Sequence, residues 1–140
     1  MAMSVRWLID KSALARAGKP QVARVLTPRI DGGLIAVSVV TELEVGFSGR
    51  STSDHDDILG LLDRLVRIVL PVRAEQLARD AQRRLVGRGQ HRAVGVADLL
   101  VAAVAKEAGL TVLHYDGDFD LIASVTGQSC EWIVPAGTIH

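Results

Sequence analysis

Five short apolar runs alternate with helix-patterned stretches along this chain, and that alternation constrains its fold more than any other feature. The runs lie at residues 5–9 (VRWLI), 34–37, 68–70, 111–114 and 131–134. Helical spacing of apolar residues marks segments at 13–17, 21–30, 38–47, from Asp54 through Leu65, 74–86, 97–108 and 119–125. Pro28 interrupts the second of these. Strands separated by helices of this length predict a parallel sheet with helices on both faces, an α/β/α sandwich of about five strands. The helix at 97–108 is apolar nearly all round and ends at Gly109, so it must be buried. No repeat, low-complexity tract or linker divides the 140 residues, which therefore read as one domain, 1–140. Only 4% of the residues are aromatic while 49% are hydrophobic, so the core is aliphatic.

Composition narrows the function classes. A formal net charge of zero, from 16 basic and 16 acidic residues, removes any global attraction to nucleic acid and demands a local patch for such binding. The single cysteine, Cys130, excludes an internal disulfide and fits a reducing compartment. No stretch approaches the ~20 apolar residues of a spanning helix, and no basic region followed by a long apolar core opens the chain. A cytoplasmic protein without membrane contact is the expectation.

The chemistry is expected from acids that the topology gathers. In open parallel sheets, ligands bind beyond the carboxyl ends of the strands. Asp10 ends the first apolar run, and Asp116 and Asp118 lie just past the fourth. A crossover helix runs antiparallel to its strands, so its first turns lie at that same edge. Glu42 falls in the early turns of the helix after the second strand, and Asp98 in the first turn of the buried helix. Each acid has an ordinary explanation when taken singly. Asp98 would serve as a helix cap, Glu42 (or its neighbour Glu44) as a solvated helix residue, and the 116–120 run as an acidic turn. Asp10 is harder to dismiss, because an acid at the end of an apolar strand gains nothing for packing.

Like charges ~4 Å apart cost about 4 kcal/mol at an effective dielectric near 20. A fold keeps such a cluster if a cation compensates it or if some sites hold protons. Oxygen ligands with no accompanying thiolate point to a hard ion, Mg²⁺ or Mn²⁺, and hence to phosphate chemistry. Calcium is rejected, because Leu121 and Gly127 stand where a calcium loop needs its glycine and its bidentate glutamate.

The segments that carry these acids resemble PIN-domain ribonucleases, in particular the VapC-type toxins of bacterial toxin–antitoxin pairs. The match consists of LIDKSAL, ELEVG, ADLLVAAVA and LHYDGDFD, in that order and spacing over nearly the whole chain. The resemblance implies a PIN-like α/β/α fold with a parallel sheet, and catalytic, metal-binding roles for Asp10, Glu42, Asp98 and Asp116. It implies Asp118 as an auxiliary ligand and Ser12 as a positioner of the first site. It further implies a homodimeric, Mg²⁺-dependent endoribonuclease (Mn²⁺ being the alternative ion) that cuts tRNA or rRNA and is silenced by a cognate VapB-like antitoxin. Lys11 departs from the commonest family pattern, which has a small residue after the first aspartate. It is expected either to meet the acids or scissile phosphate, or to point away along the surface.

Two further surfaces are expected. Arg79, Arg83, Arg84, Arg88, His91 and Arg92 are the densest basic stretch and run into the glycine-punctuated loop before Asp98. Arg84, Arg88 and Arg92 are thus the candidates for RNA backbone contact, against the alternative of a solvated arginine face. The apolar stripe Ile58, Leu61, Leu62 and Leu65, with Val40, Leu43 and Phe47 nearby, is read as ordinary core, as a homodimer face, or as a groove for an amphipathic antitoxin helix. Rival functions are a catalytically silent PIN-like RNA-binding module and a structure-specific DNA nuclease. A phospho-acceptor receiver domain is excluded, since the third strand ends in Leu70-Pro71 where the acceptor aspartate is required.

Overall fold

A computed structural model describes residues 4–140. Its strands β1 (Trp7–Ile9), β2 (Ile35–Ser38), β3 (Val66–Ile68), β4 (Thr111–His114) and β5 (Cys130–Trp132) form one sheet in the order β3-β2-β1-β4-β5. Every pairing is parallel. The helices are α1 (Lys11–Leu14), α2 (Pro20–Asp31), α3 (Val39–Gly46), α4 (Thr52–Leu61), α5 (Val72–Gly87), α6 (Val96–Ala108) and α7 (Asp118–Thr126). Because β1 pairs with both β2 and β4, the strand order reverses direction there. Such a switch point opens a crevice at the carboxyl ends of the two central strands.

Two apolar layers hold the sheet, and strand periodicity assigns residues to each. Leu8, Ala36 and Val112 point to a layer with Leu85 of α5, Leu99, Val101 and Val104 of α6, and Phe119 and Ile122 of α7. Their chain neighbours Trp7, Ile9, Ile35, Val37 and Leu113 point to the opposite layer, against Val22 and Leu26 of α2. Arg73 near the start of α5 pairs with Glu107 near the end of α6, so these two helices run antiparallel. The connection between them therefore returns at the edge where α6 begins. Gly109 closes α6 in the left-handed conformation, at φ 70°.

Three stretches differ from the sequence expectation. The edge strand β3 lies at Val66–Ile68, not 68–70, and leaves Val69 exposed beyond it. An edge strand facing solvent has no buried alternation to fix its register in the sequence. The helix from Asp54 onward begins earlier, capped by the Ser51 hydroxyl, which accepts from the Asp54 N–H at 3.1 Å. It gives way after Leu61 to a 3-10 turn, Leu62–Arg64, and Leu65 is extended, so one sequence stripe spans three conformations. Pro28 is accommodated inside α2. The tail after Pro135, which carries no sequence signal, folds onto Tyr115. The Tyr115 hydroxyl donates to the Ile139 carbonyl at 2.8 Å and accepts from the Gly137 and Ile139 N–H groups.

Candidate metal centre and its surroundings

Asp10 leaves β1 in an extended conformation and caps α1. Its Oδ2 accepts from the Ser12 N–H at 2.9 Å and from the Ser12 hydroxyl at 2.7 Å. Ser12 Oγ in turn accepts from the Tyr115 N–H at 2.8 Å, so one hydroxyl ties the end of β1 to the residue after β4. Arg16 supports the same turn by donating to the Ser12 carbonyl while its guanidinium covers the Tyr115 ring. Asp10 is 2% exposed, yet its second oxygen, Oδ1, is buried without any hydrogen-bond donor. A buried carboxylate oxygen left in this condition costs free energy unless a ligand satisfies it.

The loop after β4 supplies two more acids. Asp116 Oδ1 accepts from the Asp118 N–H at 2.9 Å, and the Asp116 N–H donates to His114 Nδ1 at 3.1 Å. This fixes the loop and carries Asp118 into the first position of α7. His114 is fully buried between Phe119 and Trp132, and that burial lowers its pKa, so the ring is a neutral acceptor at Nδ1. From the other side, the first turn of α6 delivers Asp98. One carboxylate oxygen from each of Asp98, Asp116 and Asp118 lies within 4.8 Å of the others.

The repulsion this creates is felt most at Asp98, whose pKa is raised to about 7 by burial first and then by the charges of Asp10, Asp116 and Asp118. Its protonated form donates to Asp118, which is itself raised by burial and by Asp116. The cluster therefore retains a shared proton near neutrality when nothing else compensates it. A donor set made only of carboxylate oxygens, with an orphaned buried oxygen on Asp10, fits a hard divalent cation.

The two glutamates of α3 pair with different neighbours. Glu42 turns toward β3 and pairs with Arg67, Nε to Oε2 at 3.1 Å, and Arg67 also holds Asp63. Glu44, two residues on and about 200° around the helix, turns toward α1 and pairs with Lys11, Nζ to Oε2 at 3.7 Å. Burial and the charges of Asp10 and Asp116 raise the Glu44 pKa, while Lys11 lowers it. Glu44 Oε1 is, like Asp10 Oδ1, buried without a donor. In the sheet, β3 lies at the outer edge and β1 beside the switch point, so the side of α3 facing α1 is the side facing the acids. On the same helix, Thr41 is buried against β1. Its hydroxyl donates to the Ile9 carbonyl at 3.3 Å, which helps fix the phase of α3.

Of the basic stretch, Arg84 and Arg88 are engaged. Arg84 donates to the Val125 carbonyl at 2.9 Å and Arg88 to Ser124 Oγ at 3.0 Å, while Lys106 donates to the Thr126 carbonyl. These cations satisfy the last turn of α7, where carbonyls lack partners and the helix dipole is negative. Arg92 makes no such contact among the described residues and lies in the loop leading to Asp98.

The apolar stripe also divides. Ile58, Leu61, Leu62 and Leu65 join Leu14, Ala17, Leu26, Ile30 and Val45 around a groove of about 620 Å³, with Lys11 at its border. Val39 and Leu43 of α3, with Phe47 just after it, form a separate exposed row spaced four residues apart, and Phe47 is 91% exposed. No described helix is long and apolar enough to cross a membrane.

The chain resembles known proteins over nearly its whole length. The PIN domain family matches residues 7–125. Ribonuclease VapC51 of Mycobacterium tuberculosis is 43% identical over 137 residues, covering 98% of this chain and 99% of the relative. The DNA-bound VapBC complex of Salmonella typhimurium contains a chain that superimposes with a TM-score of 0.77 at 17% identity, covering 93% of this chain and 99% of that one. VapBC-5 of Mycobacterium tuberculosis, described as a member of the VapBC family of toxin-antitoxin systems, superimposes with a TM-score of 0.62 at 20% identity, covering 91% and 95%.

Proposed function

Since the chain belongs to the PIN-domain family, in its VapC branch, we propose that it is a Mg²⁺-dependent endoribonuclease toxin neutralised by a cognate antitoxin. The observation that carries this reading is the convergence of Asp98, Asp116 and Asp118 within 4.8 Å of one another, at a rim shared with the orphaned oxygen of Asp10. These four aspartates would hold the ion, with the Glu44–Lys11 pair beside them. When bound, Mg²⁺ neutralises charge developing on the phosphoryl oxygens and acidifies water.

The chain's own residues do the positioning. Ser12 holds Asp10 in one orientation, His114 holds the Asp116 backbone, and the Asp116 carboxylate fixes the start of α7. In hydrolysis, a water oxygen bonds to phosphorus as a phosphodiester P–O bond breaks, the water proton leaving to a base and the departing oxygen gaining one. Arg92 is the basic side chain best placed in the sequence to hold the RNA backbone beside the acids. A structured tRNA or rRNA is the target expected of this branch.

The groove bordered by α1, α2, α3 and α4 suits the apolar face of an antitoxin helix, and the row Val39, Leu43 and Phe47 suits a homodimer contact. Both fit a protein acting in the cytoplasm.

The test is cleavage of total RNA by the purified chain with Mg²⁺ and with EDTA, beside Asp10→Asn and Asp98→Asn. Discrete cuts that disappear with EDTA and in both variants are the expected result. Cleavage that persists in both variants, or Mg²⁺-dependent stabilisation without any cleavage, would overturn the nuclease reading.

A further inference from the structure

Five carboxylates crowd one rim, yet among the described residues Lys11 is the one cation within ion-pair distance of any of them. We propose that the Lys11 ammonium is a resident cation of this centre, standing on the Glu44 side where a second divalent ion would otherwise bind, and that it meets the phosphate of bound RNA. The inference rests on the nuclease reading and deepens it: the site takes one metal ion and supplies its second positive charge from the chain.

Three observations carry it. The acids fall into two groups, the mutually close oxygens of Asp98, Asp116 and Asp118, and the Glu44–Lys11 pair, with Asp10 preceding Lys11 directly in the chain. The pair is asymmetric, since the Lys11 side chain is 51% exposed and that of Glu44 only 21%. An ammonium has three donors, so one faces Glu44 and the others remain open to a ligand approaching from solvent. Glu44 Oε1 and Asp10 Oδ1 are both buried without donors, which marks this side of the rim as ligand-facing too.

Glu44 would be the ligand of a second Mg²⁺ on this side of the rim. With Lys11 Nζ already 3.7 Å from Oε2, that ion would share the space with another cation. Two-metal phosphodiester enzymes use two positive centres, roughly 3.5–4 Å apart, to stabilise the attacking and leaving oxygens. Here a lysine fulfils one of those roles. As an ammonium has no Lewis-acid function, it stabilises charge and activates no water.

The experiment counts ions. Equilibrium dialysis against Mn²⁺, with metal analysis, is run on the wild-type chain, Lys11→Met, Lys11→Ala and Lys11→Arg. Lys11→Met retains most of the aliphatic stem that borders the groove, and the half-exposed position tolerates the loss of charge. One ion per chain is expected for wild type and Lys11→Arg, and two for Lys11→Met and Lys11→Ala.

Cleavage by Lys11→Met should fall on the order of 10²-fold, as for loss of one charge-stabilising group, and recover as Mn²⁺ is raised. Lys11→Arg should retain most activity at wild-type ion demand. Two ions in wild type would overturn the proposal, as would one ion in Lys11→Met with unchanged cleavage. Either of those results leaves the nuclease reading intact if wild-type cleavage is sensitive to EDTA. A wild-type chain that neither binds Mn²⁺ nor cuts RNA overturns both.

Discussion

Replacing Asp98 by Asn should stabilise the metal-free protein and destabilise it relative to wild type once metal is in excess. Asp98 holds its proton up to about pH 7 in the folded chain, against an ordinary value of 3.8. A raised carboxylate pKa means that the folded state binds more protons than the unfolded state between those two values. Stability therefore falls as pH rises through that window, and the loss is complete above about pH 7. At 1.36 kcal/mol per pKa unit the ceiling is on the order of 4 kcal/mol. Because Asp98 is only partly buried, solvent screens part of this cost, and Asp118 shares the proton, so neutralising Asp98 alone should recover about 2 kcal/mol at most. For a chain of this length that corresponds to roughly 5–10 °C in Tm. An asparagine amide can still donate to Asp118, so the hydrogen bond of the protonated acid is preserved.

The assay is thermal unfolding of wild type and Asp98→Asn at pH 8 and pH 4, in EDTA and in Mg²⁺. In EDTA at pH 8 the variant should be the more stable protein, and at pH 4 the gap should close. Ligand linkage adds about 4.1 kcal/mol to wild type at a thousandfold excess over Kd, enough to reverse the order at pH 8. A variant no more stable than wild type in EDTA at pH 8 would refute the reasoning. So would a gap that persists at pH 4, because the electrostatic cost is absent there.

Separate substitutions test the neighbouring assignments. Glu44→Gln should weaken Mn²⁺ binding by at least about tenfold, whereas Glu42→Gln, which loses only an exposed pair with Arg67, should leave it within about twofold. Equal effects in dialysis would reject the helical phasing. Arg92→Glu should lower the slope of log affinity for catalytically inactive Asp10→Asn protein on RNA against log salt by about 0.7–0.9. Arg88→Glu should instead lower Tm, because it removes a cap from α7. Leu61→Asp, at a position 78% exposed, should abolish co-purification with the cognate antitoxin while RNA cleavage persists. Retained co-purification would move the partner off the groove.

The layered parallel sheet was legible because strand and helix periods differ, and short apolar runs between 3.6-period segments leave few other architectures. The same logic placed Asp10, Asp98, Asp116 and Asp118 at one rim, since strand ends and crossover-helix starts share an edge by construction. Topology fixes an edge but not a rotation. Glu42 and Glu44 occupy the same turn of α3, and tertiary packing, in which Val40, Val45 and the Thr41 hydroxyl take part, decides which carboxylate faces α1. The roles of Arg84 and Arg88 were hidden for a similar reason. Their partners on α7, the Val125 carbonyl and the Ser124 hydroxyl, lie about 40 residues away, and neither pairing carries a sequence signature. The tail gave no warning either, because Tyr115 holds it through main-chain groups of residues 137 and 139.

These features share an energetic logic. The switch point brings carboxylates together at no cost in strand geometry, and their repulsion is then met locally in different ways. Ser12 donates twice to one oxygen of Asp10, Asp98 and Asp118 share a proton, and Lys11 faces Glu44. None of these donors reaches Asp10 Oδ1 or Glu44 Oε1. A fold that supplies two donors to one oxygen of Asp10 and none to the other is preorganised for a ligand that brings positive charge. On this reasoning the binding energy of the ion comes largely from relieving strain already present in the metal-free chain. The affinity for a divalent cation and the lower stability of the metal-free form at high pH are then one quantity seen from two sides. Changes that quiet the cluster, Asp98→Asn first among them, must lose on ion binding part of what they gain in stability.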